Sequence, residues 1–121
     1  MQFSKAAANF YLDYLTFHPF AGDDEGLESL SELDRYIRDM KIVAEQHGDL
    51  EPLRIFFDSV LANPEFATTS LLGSNWAFPE EELRRMIAYA REKVWPGVPR
   101  SPDPQFELAD VALEDWWASR E

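Results

Sequence analysis

The chain contains no cysteine in its 121 residues. Disulfide stapling, thiolate nucleophiles and thiolate metal sites are therefore excluded. Glycine is scarce: five residues, scattered, with no Gly-x-Gly and no P-loop string. The glycine-rich loops that cradle phosphates are absent. Imidazole is confined to His18 and His47, and neither His-Glu-x-x-His nor Glu-x-x-His occurs. No Gly-x-Ser-x-Gly elbow is present. No window approaches the roughly 20 apolar residues of a membrane span. The opening Met1-Gln2-Phe3-Ser4-Lys5 lacks a basic segment followed by an apolar run, so it does not read as a secretion signal. Positive charge is also short, with 11 bases against 23 acids and a net charge of −12. Such a surface repels phosphate backbones and anionic headgroups, which argues against nucleic acid and membrane as partners. It attracts basic protein surfaces. These features fit a cytoplasmic protein.

What is present is enough for a core. Hydrophobic residues make up 45% and aromatics 14%. Each buried aromatic removes roughly 150–250 Å² from water. The length suits one domain, 1–121, since domains cluster at about 100–150 residues.

The periodicity is helical. Phe3, Ala7, Phe10, Tyr11 and Tyr14 recur at helical steps, with Ser4 as a candidate cap. Pro19 predicts a stop near His18, because proline disfavours a helical residue before it. The segment from Phe20 to Gly26 reads as a loop. Ser29 with Glu32 makes a capping box for a second helix. Its apolar stripe is Leu33, Tyr36, Ile37, Met40, Val43 and Ala44, and Gly48 suits its C-terminal cap. Asp49 can start a third helix at once, with Glu51 and Pro52 in the first turn. Leu53, Phe56, Phe57, Val60 and Leu61 form its buried face, and Asn63-Pro64 ends it. The short link predicts that helices two and three pair as a hairpin.

Residues 65–78 show no clear period and read as an ordered loop. Pro79-Glu80-Glu81-Glu82 then opens a fourth helix with stripe Leu83, Met86, Ile87, Ala90 and Val94. Arg84, Arg85, Arg91 and Lys93 suit its dipole. Pro96, Pro99, Pro102 and Pro104 make an extended connector. Leu108, Val111, Ala112, Leu113, Trp116 and Trp117 return to helical spacing, predicting a fifth helix from Asp110 to Ser119. The expected fold is an all-α, compact bundle of about five helices, with a Pro-rich connector before the last.

No catalytic residue, metal ligand set or cofactor motif is expected. His47 beside Gly48 and His18 before Pro19 read as helix-end residues. The loop Asp23-Asp24-Glu25-Gly26 departs from a calcium loop, because an acid belongs five residues before the glycine and Ala21 stands there.

Three segments could carry function. Asp23, Asp24, Glu25, Glu28, Glu32 and Asp34 lie in a stretch with no Lys or Arg, on a loop and the first turns of a helix. Such a patch steers a basic partner, although helix N-terminal charge and solubility explain it too. Trp116 and Trp117 stand beside Glu114 and Asp115. Tryptophan anchors interfaces, and an acidic rim around it suits a cationic surface; ordinary packing of the last helix is the plainer account. The segment from Thr68 to Phe78 mixes polar and large apolar residues, as binding loops do.

The leading expectation is a small acidic binding protein that neutralises a cationic protein. In size and acidity the chain is similar to bacterial immunity proteins that block nuclease-type toxins, though it matches no family motif. On that similarity the partner would be a basic toxin domain. The alternatives are an adaptor module of an assembly and a carboxylate- and metal-dependent enzyme.

Overall fold

The computed structural model describes residues 2–20, 30–66 and 80–119. The elements run β1 (Gln2–Ser4), α1 (Lys5–Phe20), a 3-10 turn (Leu30–Leu33), α2 (Asp34–Gln46), α3 (Leu50–Ala62), α4 (Glu80–Val94), β2 (Glu107–Ala109) and α5 (Leu113–Ala118). The fold is the helical bundle that the periodicity predicts; among the described residues it also has one short strand pair, which the periodicity does not predict.

The stripes read from spacing are the core. Ile37, Met40 and Ala44 of α2 are buried, as are Leu53, Phe56, Phe57 and Val60 of α3 and Leu83, Met86, Ile87, Ala90 and Val94 of α4. From α1 come Ala7, Ala8, Tyr11, Leu12 and Leu15. Burying one large side chain of this kind contributes about 1.5–3 kcal/mol, so these four faces supply most of the driving force. Helix α2 packs on α1 and α4, and α3 on α4.

The caps follow the sequence at two points. Ser4 Oγ accepts the Ala7 N–H at 3.1 Å, which places Ser4 as the N-cap of α1. Gly48 has φ +70°. Its N–H reaches the Glu45 carbonyl at 3.3 Å and the Asp49 N–H reaches Ala44 at 2.8 Å. These are the two bonds of a Schellman motif, which needs a left-handed residue between them. Ser29 of the expected capping box lies outside the described residues. Leu33 occupies the N-cap position of α2 and makes no side-chain cap bond.

Three boundaries differ from the sequence reading. Helix α1 continues through Pro19 to Phe20. A proline in the last turn removes one hydrogen bond at a helix end, and the restriction on the preceding residue is a bias that helical context overrides. Phe3, read as the first residue of a helical face, lies in β1 and reaches the core from a strand. The last helix is shorter than expected, Leu113–Ala118. The residues before it are held extended. Glu107, Leu108 and Ala109 pair in parallel with Gln2, Phe3 and Ser4, and Ser4 Oγ donates to the Val111 carbonyl at 2.6 Å.

The proline-rich connector is fastened by a buried ion pair. Arg91 and Asp58 are both buried. Arg91 Nε donates to Asp58 Oδ1 at 2.7 Å. The remaining guanidinium donors reach the carbonyls of Trp95 at 3.2 Å, Val98 at 2.7 Å and Pro99 at 3.1 Å. Asp58 Oδ2 also accepts the Ser101 N–H at 2.9 Å. Arg84 works similarly at the C-terminus of α3, donating to the carbonyls of Val60 at 2.7 Å and Asn63 at 2.9 Å, and also to that of Phe66. Those carbonyls end a helix and want positive charge. The sequence places both arginines on α4 for its own dipole, and Arg91 does stand in its last turn; their bonds to other segments are additional.

Candidate functional site: the Asp49 cluster and the acidic C-terminal segment

Asp49 follows Gly48 and stands at the N-cap position of α3, where a short carboxylate normally accepts N–H groups of the first turn. It makes no side-chain cap bond. Its carboxylate turns inward and the residue is fully buried. Oδ2 accepts the Tyr11 hydroxyl at 2.5 Å and the Trp117 indole N–H at 2.8 Å. Oδ1 accepts the Trp116 indole N–H at 3.0 Å. Three side chains from the two ends of the chain thus converge on one acid. Burial raises the Tyr11 phenol well above its usual range, and the hydrogen bond to Asp49 and that carboxylate's charge raise it further.

Rings close the cluster. Trp116 meets Phe3 edge-on at 5.2 Å between centroids. Trp117 meets Phe10 at 5.2 Å and 90°. His47 lies flat on Trp117, 3.7 Å away and 5° from parallel. His47 follows the last residue of α2, as its spacing before Gly48 predicts. The side chain of His18 lies outside the described residues.

The chemistry available here is binding of a segment. Asp49 is sealed from solvent and faces donors of its own chain, so it holds α5 to the bundle. Among the described residues no three His, Asp or Glu side chains converge as a metal site would need. No described helix is long and apolar enough to cross a bilayer.

Three acids of α4 are paired with bases: Glu80 with Arg84 at 3.5 Å, Glu82 with Arg85 at 3.3 Å and Glu92 with Arg100 at 3.4 Å. From Ser101 to Ser119 there is no Lys or Arg. Glu107, Asp110, Glu114 and Asp115 are all exposed there. Glu107 accepts a hydrogen bond from Gln2 Nε2 at 2.7 Å. Among the described residues no base lies within ion-pair distance of Asp110, Glu114 or Asp115. Lys5 shares a shallow cleft with Asp110 without closing to that distance.

The residues singled out in the sequence separate accordingly. Asp23, Asp24, Glu25 and Glu28 lie outside the described residues, as does the segment from Thr68 to Phe78. Glu32 is exposed in the 3-10 turn before α2. Glu114 and Asp115 are exposed on the first turn of α5. Trp116 is buried and Trp117 half-buried, and both indole N–H groups point at Asp49. The structure therefore brings Glu114, Asp115, Trp116 and Trp117 together on one turn, acids outward and indoles inward. Both tryptophans pack the last helix onto the bundle.

Sequence reasoning missed Asp49, Tyr11 and Arg91. An acid at a helix start and an arginine at a helix end each have an ordinary local explanation, which hides a long-range one. Comparison with protein-family models, with curated proteins and with solved structures gave no match. The functional reading accordingly rests on the residues of this chain.

Proposed function

We propose that the chain is an acidic binding protein that engages a basic protein through the outer face of its C-terminal segment. The observation that carries this reading is the set Glu107, Asp110, Glu114 and Asp115: exposed carboxylates on a stretch from Ser101 to Ser119 that contains no Lys or Arg. Uncompensated surface charge of one sign steers an oppositely charged partner and raises its association rate. The sharpest form of the reading is an immunity-type inhibitor that covers the basic, phosphate-facing site of a nuclease toxin in the cytoplasm of a bacterium. An acidic surface there would both bind the enzyme and exclude its substrate.

The adaptor alternative has less support. Among the described residues the exposed large hydrophobics are Ile42 and Val98, on separate elements, and an apolar interface needs a contiguous patch.

The test is a capture experiment in the native host at low salt, using the wild-type chain and a Glu114→Lys/Asp115→Lys double variant. The expected result is a basic protein held by the wild type and released by salt. The double variant should lose it, and the eluted protein should cleave nucleic acid only when the chain is removed. Equal capture by the variant, or salt-insensitive capture, would overturn the reading.

A further inference from the structure

We infer that the segment from Glu107 to Ser119 is a releasable strap, and that its closure, set by Asp49, is what presents the carboxylates of α5 as a fixed surface. This rests on the binding reading above and adds its regulation.

The burial pattern comes first. From Trp95 to Ser119 only Trp116 is buried; every other residue is half-buried or exposed. Leu108, Val111, Leu113 and Trp117 pack against the core but stay partly exposed. The segment is held by this partial burial and by polar bonds at three places: the Arg91–Asp58 clamp on the connector, the pairing of β2 with β1 together with Ser4 and Val111, and the two indoles on Asp49. The first clamp fixes the connector upstream of the strap. The second involves three residue pairs, and strands this short are weak alone.

Helix α5 has six residues, and isolated helices under about 12–15 residues are marginal in water. Its order is therefore borrowed from docking. Trp116 and Trp117 are the docking groups, and both end on one carboxylate. When those bonds break, Glu114 and Asp115 lose their fixed spacing. Phe3 also loses the Trp116 ring that covers it. Segments whose side chains are mostly only partly buried open locally, ahead of the fully buried core of α3 and α4.

The experiment is native-state hydrogen exchange by NMR on four proteins: wild type, Asp49→Asn, Trp117→Phe and Glu114→Lys/Asp115→Lys. A capped hexalysine peptide is the cationic probe. Trp117→Phe removes one donor and leaves the carboxylate and Tyr11 in place, so it serves if Asp49→Asn folds poorly. In the wild type, amides of residues 107–118 should exchange faster than those of Leu83–Ala90. Trp117→Phe and Asp49→Asn should speed strap exchange by about tenfold or more, as loss of a hydrogen bond to a charged group requires, and the strap should remain the faster-exchanging of the two segments.

The peptide should shift resonances at Glu114 and Asp115 in the wild type and much less in Asp49→Asn. Strap exchange that is unchanged in both latch variants, or that is no faster than exchange at Leu83–Ala90 in the wild type, would overturn the latch. A loosened strap with no peptide shifts at residues 107–115 in the wild type would overturn the binding reading and the presentation that depends on it. Full peptide shifts in a loosened variant would overturn the presentation alone.

Discussion

Asp49 and Trp117 are joined by a hydrogen bond of 2.8 Å between residues 68 positions apart, although Asp49 stands where a helix cap belongs. The first turn of α3 therefore goes without its usual side-chain acceptor. A cap of this kind contributes about 1 kcal/mol. Three donors gathered on a buried carboxylate contribute more, since bonds to charged groups are worth about 1.5–3 kcal/mol each. The balance favours tying the two chain ends together over capping one helix.

That balance gives the first prediction. Asp49→Asn keeps the shape but turns one acceptor into a donor facing donors. It should lower stability by about 2–4 kcal/mol, because buried groups left unsatisfied incur their desolvation penalty. Tyr11→Phe, which removes one donor and leaves the indoles in place, should cost about 1 kcal/mol. Urea unfolding followed by tryptophan fluorescence measures both. Equal, small losses in the two variants would show that the cluster is not a cooperative unit.

The second prediction concerns alkaline pH. The folded Tyr11 phenol titrates above the ordinary value of 10.0, first because it is buried and then because Asp49 stands beside it. The folded state therefore holds its proton more tightly than the unfolded state. Its contribution to stability is complete below pH 10 and is lost as pH rises beyond that. Tyr14 and Tyr89 shift in the same direction, so the slope is shared. Urea midpoints should fall as pH rises above about 10, and Tyr11→Phe should flatten part of that fall. A midpoint that rises with pH over this range would contradict the sign.

A third prediction isolates backbone conformation from packing. Gly48 adopts φ +70°, and a Cβ added there would meet nothing within 4 Å. Substitution by alanine should thus cost only the left-handed conformation, about 1 kcal/mol. Gly48→Asn should cost less, because asparagine tolerates that region better. Thermal melts of the two variants distinguish them. A loss well beyond this would mean that the link between α2 and α3 transmits strain to Asp49 next door.

The parts of this fold legible in the sequence are those decided by near neighbours. The stripe of Leu83, Met86, Ile87, Ala90 and Val94 announces itself through its period, and Gly48 through the conformation that only glycine takes freely. Ser4 was read correctly as a cap, yet its second bond, to Val111, joins residues 107 positions apart. No local pattern encodes such a partner. The same holds for Phe3, whose spacing matched a helix while its pairing with Leu108 makes it a strand. The candidate site shows the division clearly. Glu114 and Asp115 are exposed, as charge on a short terminal helix suggests. Trp116 and Trp117 look like free anchors until Asp49, far away in sequence, is seen to hold them.

The last prediction turns on the shape of one cation. Arg91 is buried and reaches Asp58 together with the carbonyls of Trp95, Val98 and Pro99. A guanidinium can do this because its donors fan out in a rigid plane, whereas an ammonium is a compact point that cannot span those acceptors. Arg91→Lys keeps the charge and should still destabilise the chain by about 2–3 kcal/mol, chiefly by releasing the connector carbonyls. Arg91→Met also strands the Asp58 carboxylate without its main partner, so its loss should be larger, about 3–5 kcal/mol. Denaturant unfolding orders the two, and hydrogen exchange at Val98 and Ser101 locates the loosened segment. If lysine proves as good as arginine, charge neutralisation alone holds the connector, and the fan of hydrogen bonds contributes nothing measurable.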